Sequence, residues 1–167
     1  MKDKRIVHVV GTGTIGEPLI GLLASFRNEL GIDEVTFHKR SPLLTDRSKV
    51  LALQKKGALL AVDRETWEKF TGMGMGPAYE ALEAIDRASV VIDCTPVGNE
   101  NKERLYLRYG ENAHGFIAQG SEFGFGKMYA RGINDAALRP GEDRFIQVVS
   151  CNTHNLASLV DTIALGA

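Results

Sequence analysis

Cysteine is scarce: among 167 residues there are two, Cys94 and Cys151. They lie far apart and form neither a CxxC pair nor a metal-ligand spacing. That argues against a disulfide framework and for a reduced, cytoplasmic setting. No apolar run is long enough to span a bilayer. The opening MKDKRIVHVV resembles a signal start only superficially, because its short apolar run ends in a glycine motif. The formal net charge is −1, so no bulk field points to nucleic acid or a membrane surface as a partner. Internal repeats and low-complexity segments are also missing. A length of 167 residues with 44% hydrophobic content fits one globular domain with a real core.

What is present begins with Val9 to Gly16, VVGTGTIG, which reads Gly11-x-Gly13-x-x-Gly16. An apolar β-branched run (Ile6, Val7, Val9, Val10) precedes it, and a helical pattern (Leu19, Ile20, Leu22, Leu23, Phe26) follows. This strand, glycine turn and helix form the context of a dinucleotide-binding fingerprint. Gly11 makes the turn, Gly13 admits a pyrophosphate to the backbone, and Gly16 lets helix and strand pack closely. Thr14 and Ile15 sit at the helix start, where free N–H groups and the positive dipole end favour phosphate.

The rest of the chain alternates. Strands are expected at Arg5–Val10, Glu34–His38, Ala58–Val62, Ser89–Asp93, Gly115–Gln119 and Arg144–Val149. Helices are expected at Thr14–Leu30, Thr45–Lys56, Arg64–Phe70, Pro77–Arg87, Asn99–Tyr109 and His154–Leu165. The last carries an apolar stripe of Leu156, Leu159, Val160 and Ile163. Met73–Pro77 reads as a turn, and Glu122–Leu138 as a loop whose Phe123, Phe125, Met128 and Tyr129 pack on a local core patch, with a partner surface as the alternative. The fold class that follows is α/β: a Rossmann-type, doubly wound, mostly parallel sheet with helices on both faces.

Cofactor choice is decided after the second strand. An acidic residue there would hold the ribose 2′-hydroxyl of NAD. Lys39, Arg40 and Ser41 stand in its place, and two cations with a hydroxyl suit a 2′-phosphate. The residues therefore favour NADP, with NAD also possible; the plain alternative is a solvated basic loop. His38 flanks the adenosine end, and His8, within the first strand, reads as structural. Thr95 and Pro96 follow a strand at the edge where ligands lie in open α/β sheets. Asp93 reads as a carboxylate capping that loop. Cys151 lies between a strand and a helix start, where the dipole and nearby N–H groups favour a thiolate and could stabilise an oxyanion. In a nicotinamide-binding chain that suits a thiolate attacking an aldehyde, loss of hydride to the cofactor and a thioester product. The alternative is a small buried hydrophobe.

Together, GTGTIG, SVVIDCTPVG, FIAQGSE and VVSCNT resemble the archaeal-type (type II) glyceraldehyde-3-phosphate dehydrogenases, in order and spacing, over nearly the whole chain. The resemblance implies that 1–167 is the NAD(P)-binding Rossmann domain and that Cys151 is the catalytic nucleophile. It further implies Ser150, Asn152 and Thr153 at the substrate or phosphate position, and Thr95, Pro96, Gln119 and Gly120 on the nicotinamide side. The Lys- and Arg-bearing turn accompanies NADP use in that family. The implied whole enzyme converts the thioester to an acyl phosphate, a reaction of glycolysis and gluconeogenesis. Such proteins continue into an α+β catalytic domain carrying the general-base histidine and phosphate-binding arginines. That domain is expected to be missing from these residues, as a partner in cis or in trans, and the nucleotide half to turn over little without it. A homo-oligomer is a further expected partnership. His154 stands where the family has a second threonine, and reads as a polar first-turn residue rather than the base. Two other readings stay open: another cysteine-dependent dehydrogenase of the aspartate-semialdehyde type, and a free-standing nucleotide-binding or regulatory module.

Overall fold

β-Branched and aromatic residues buried on both faces build the central strands, and glycines end the segments that connect them. The computed structural model describes residues 4–119 and 123–165. In chain order the strands are β1 Ile6–Val10, β2 Glu34–His38, β3 Leu59–Val62, β4 Tyr79–Glu80, β5 Val90–Asp93, β6 Gly115–Gln119, β7 Lys127–Tyr129 and β8 Phe145–Val148. The helices are α1 Gly16–Ser25, α2 Arg47–Lys55, α3 Trp67–Gly72, α4 Ala81–Arg87, α5 Gly98–Asn101 and α6 Cys151–Val160. α5 runs on into a π-helical turn at Lys102–Tyr106, and α6 into another at Asp161–Leu165.

One eight-stranded sheet has the order β4-β3-β2-β1-β5-β6-β8-β7, and its strand pairs run parallel. The chain winds outward from β1 through β2 and β3 to β4, then returns to place β5 on the other side of β1. That reversal makes β1/β5 the topological switch point, where ligands bind beyond the carboxyl ends of the strands. The alternation of strand side chains divides the core. Val9, Val35, Phe37 and Leu60 pack with Ile20 and Ala24 of α1 and Val50 and Leu53 of α2. Val10, Val91 and Phe116 pack with Ile85 of α4, Tyr106 and Phe125. The expected Rossmann-type α/β architecture is thus observed.

Several expected boundaries move. The first helix stops at Ser25, because its last expected turns, up to Leu30, form a turn closed by Gly31 at φ 66°. Pro77–Arg87 divides: Tyr79–Glu80 pairs with Ala61–Val62 as β4, and only Ala81–Arg87 is helical. The last helix starts at Cys151 rather than His154, since Ser150 caps it, its Oγ accepting from Thr153 N–H at 3.3 Å. The expected loop after Gln119 contains β7, paired with β8. Its Phe125 is buried against Tyr106 and Phe145, as a core patch requires, while Phe123 is exposed. Gly120, one of the expected cofactor residues, lies outside the described residues, as does Glu122 at the start of that loop. No helix among the described residues is long and apolar enough to cross a membrane.

Candidate nucleotide site

The three fingerprint glycines meet three different steric situations. Gly11 has φ 97°, and a Cβ there would lie 3.1 Å from Thr95 Cγ2. At Gly16 a Cβ would overlap the Gly11 carbonyl oxygen and come within 3.3 Å of Cys94 Cβ, so α1 could not sit this close to β1 and β5. A Cβ at Gly13 would meet nothing within 4 Å. Its backbone faces open space at the start of α1, which is what the approach of a pyrophosphate needs.

Beside this turn a cleft of about 350 Å³ opens at the switch point. Gly11 and Thr12 line it from β1, His38, Lys39, Arg40, Ser41 and Leu43 from the end of β2, and Thr95, Val97, Asn101 and Leu105 from beyond β5. The fingerprint, the basic turn and the segment beyond β5, far apart in sequence, are therefore walls of one cleft. Of these, Thr12, Leu43, Val97, Asn101 and Leu105 were not picked out by sequence reasoning. Their positions depend on the turns after β1, β2 and β5, which no residue periodicity encodes.

The basic turn is not uniform. Lys39 is buried, and its Nζ donates to Asp46 Oδ2 at 2.6 Å. Arg40 and Ser41 are exposed. Lys39 thus carries its own counter-ion, whereas the Arg40 guanidinium is exposed. His38 Nε2 lies 3.2 Å from Asp63 Oδ1. That contact, with His38 and Arg40 as nearby positive charges, holds the Asp63 carboxyl below its ordinary value.

On the other side of β1, β5 ends at Asp93, which is fully buried. Its Oδ1 accepts from Thr95 N–H at 2.8 Å and from Thr95 Oγ1–H at 2.6 Å. Its Oδ2 accepts from Asn101 Nδ2 at 2.8 Å and Tyr106 O–H at 2.6 Å. Burial and this carboxylate push the Tyr106 phenol far above its usual range. Cys94 is half-buried, and burial together with Asp93 pushes its thiol up to about 11. It stays a neutral packing group.

Gln119 ends β6 and Cys151 follows β8, so Thr95, Gln119 and Cys151 project from the carboxyl ends of β5, β6 and β8 in turn. Two strand spacings, about 10 Å, separate β5 from β8. Cys151 is exposed at the first position of α6. The Ser150 and Thr153 hydroxyls bond each other at 2.9 Å across the helix start, and Asn152 is exposed. His154 Nε2–H donates to the Arg131 carbonyl at 2.9 Å, tying α6 to the turn after β7. The stripe of Leu156, Leu159, Val160 and Ile163 is exposed along the whole helix.

A doubly wound parallel sheet with a fingerprint turn and a cleft at its switch point defines this chain as a Rossmann-like α/β fold. Its sequence is similar to archaeal glyceraldehyde-3-phosphate dehydrogenases, as the four sequence blocks implied. It is 28% identical to the glyceraldehyde-3-phosphate dehydrogenase of Pyrobaculum islandicum over 95% of this chain and 44% of that protein. The enzyme of that name from Sulfolobus acidocaldarius is 28% identical over 94% of this chain and 43% of its own length. That from Methanobacterium bryantii is 31% identical over 94% and 44%. The chain thus spans less than half the length of the curated relatives it matches. No protein-family model matches it.

Proposed function

We propose that residues 1–167 form the NADP-binding domain of a phosphorylating glyceraldehyde-3-phosphate dehydrogenase. The observation that carries this reading is the cleft that joins Gly11 and Thr12 of the fingerprint, the Lys39–Ser41 turn and the Thr95 loop at the switch point, with the unobstructed backbone of Gly13 next in the chain. Its chemistry fits a dinucleotide. The fingerprint turn at Thr14 and Ile15 and the start of α1 at Gly16 would receive the pyrophosphate. Arg40 and Ser41 would meet a 2′-phosphate, with Lys39 behind them. Thr95, Pro96, Gln119 and Gly120 would line the nicotinamide end. The similarity to named glyceraldehyde-3-phosphate dehydrogenases supports a nicotinamide cofactor, and the lack of an acidic residue after β2 supports NADP over NAD.

A bound nicotinamide supplies the hydride-accepting chemistry. The chain's own residues would bind the substrate covalently and orient it. Cys151 Sγ bonds to the aldehyde carbon, giving a thiohemiacetal on the cysteine. At the acyl stage the same sulfur holds a thioester, which inorganic phosphate cleaves to an acyl phosphate. Backbone N–H groups at the start of α6 are suited to the oxyanion that forms on that carbon. Ser150, Asn152 and Thr153 border that position. His154, engaged with the Arg131 carbonyl, holds the helix rather than serving as base. The base and the phosphate-binding arginines would come from an α+β catalytic domain, in cis or in trans. The uncovered stripe from Leu156 to Ile163 supports such docking, since exposed contiguous apolar surface marks interaction sites; a second copy of the chain is the alternative occupant.

Calorimetric titration with NADP and NAD, on the wild type and on a Lys39→Ala/Arg40→Ala double variant, tests the reading. NADP is expected to bind more tightly, and the variant to lose that preference. Binding of neither nucleotide at millimolar concentration contradicts it. The 167 residues alone should show little or no turnover, because removing members of a catalytic unit costs orders of magnitude. Robust dehydrogenase activity from them would overturn the need for a second domain.

A further inference from the structure

The fully buried Asp93 carboxylate does more than end a strand. Its four bonds run to the loop after β5 and to the helical segment that follows: Thr95 through both N–H and Oγ1–H, Asn101 and Tyr106. Two of these partners, Thr95 and Asn101, line the cleft. They also bond each other, Asn101 Nδ2 to Thr95 Oγ1 at 3.1 Å. Thr95 in turn is the side chain that a Cβ on Gly11 would touch. Two side chains of the β5-side wall of the cleft are therefore held by one carboxylate. In a doubly wound sheet the adenosine half of a dinucleotide lies on the β2 side of the switch point and the other half on the β5 side. Asp93 is on the β5 side, while the Lys39–Ser41 turn is on the β2 side.

We propose that Asp93 is a positioning residue for the nicotinamide half of the cofactor, acting through Thr95 and Asn101. This rests on the nucleotide-binding reading above. Asparagine in its place keeps the volume but offers one acceptor oxygen and turns an NH2 donor toward a pair of donors. The Thr95 loop then loses its fixed geometry, while the Lys39–Ser41 turn, anchored separately by the Lys39–Asp46 pair, keeps its own.

The test compares NADP with adenosine 2′,5′-bisphosphate, which carries only the adenosine end, on the wild type and on Asp93→Asn. The wild type should bind both. The variant should bind NADP about tenfold or more weakly, the scale of a lost hydrogen bond to a charged group, and adenosine 2′,5′-bisphosphate as before. A merely structural role would weaken both ligands alike. Equal weakening, or none, overturns the assignment. If the wild type binds neither ligand, the nucleotide reading itself fails and the proposal with it. Should Asp93→Asn not fold, Tyr106→Phe removes one donor at a fully buried position outside the cleft. It is expected to give the same split between the two ligands at smaller amplitude, and equal effects on both would again overturn the proposal.

Discussion

Acid should destabilise this domain through one buried histidine, well before its carboxylates titrate. His8 sits in the middle of β1, fully buried, with Nδ1 2.7 Å from Thr36 Oγ1 on the adjacent strand. Burial first, and the positive field of His38 second, lower its pKa from 6.5 to about 3. The folded state thus holds the ring neutral where the unfolded chain would protonate it. Between these two values the unfolded state binds more protons, so stability is complete above about pH 6.5 and falls as the pH drops toward 3. The loss amounts to about 2 kcal/mol between pH 8 and pH 5, and about 3 by pH 4. Asp63, whose carboxyl is held below its ordinary value, contributes stability that is lost only below about pH 4, so the upper window belongs to His8. Urea unfolding of the wild type and of His8→Gln at pH 8, 7, 6 and 5 reads the effect. Glutamine can still bond Thr36 but does not titrate. The variant should start from its own stability at pH 8 and lose about 2 kcal/mol less than the wild type by pH 5. Parallel pH profiles for the two proteins would refute the reasoning.

Other expectations are simpler to check. Gly16→Ala should lower stability by about 1–3 kcal/mol, because its methyl group overlaps the Gly11 carbonyl and α1 must move away from the sheet; an unchanged thermal midpoint would contradict this. Arg40→Ala should reduce NADP affinity about tenfold or more with little change in unfolding. Lys39→Ala should also lower the unfolding midpoint, because it strands the Asp46 carboxylate; identical effects of the two substitutions would show that the ion pair has no structural share. In the folded protein a thiol reagent at pH 8 should label exposed Cys151 much faster than Cys94, which is half-buried with its thiol pushed up to about 11. Equal rates would count against the described burial.

Much of the sheet was legible because each long strand carries its own apolar run: IVHVV, EVTFH, VVID, GFIAQ and FIQV all stand close to where the residues placed them. β4 and β7 were not legible. Tyr79–Glu80 and Lys127–Tyr129 are two and three residues long and only half-buried, and they are strands because β3 and β8 offer them partners. A dipeptide or tripeptide has too few residues for a period to emerge. At the site, the three glycine roles could be read from spacing, since each answers to local backbone geometry. Asp93 as a loop cap was also readable, two residues before Thr95. Its bonds to Asn101 and Tyr106 were not, because they depend on the helix beyond the loop turning back onto β5. The Lys39–Asp46 pair was hidden for a similar reason: seven residues and a tight turn separate two side chains that meet only when α2 packs against α1.

The most direct measurement is amide hydrogen exchange of the 167 residues with and without NADP. A dinucleotide across the switch point should slow exchange at 11–16, 39–41 and 95–98 together, and leave the β3/β4 edge unchanged. Protection confined to another face of the sheet, or no protection at a saturating nucleotide concentration, would contradict the placement of the cofactor in this cleft.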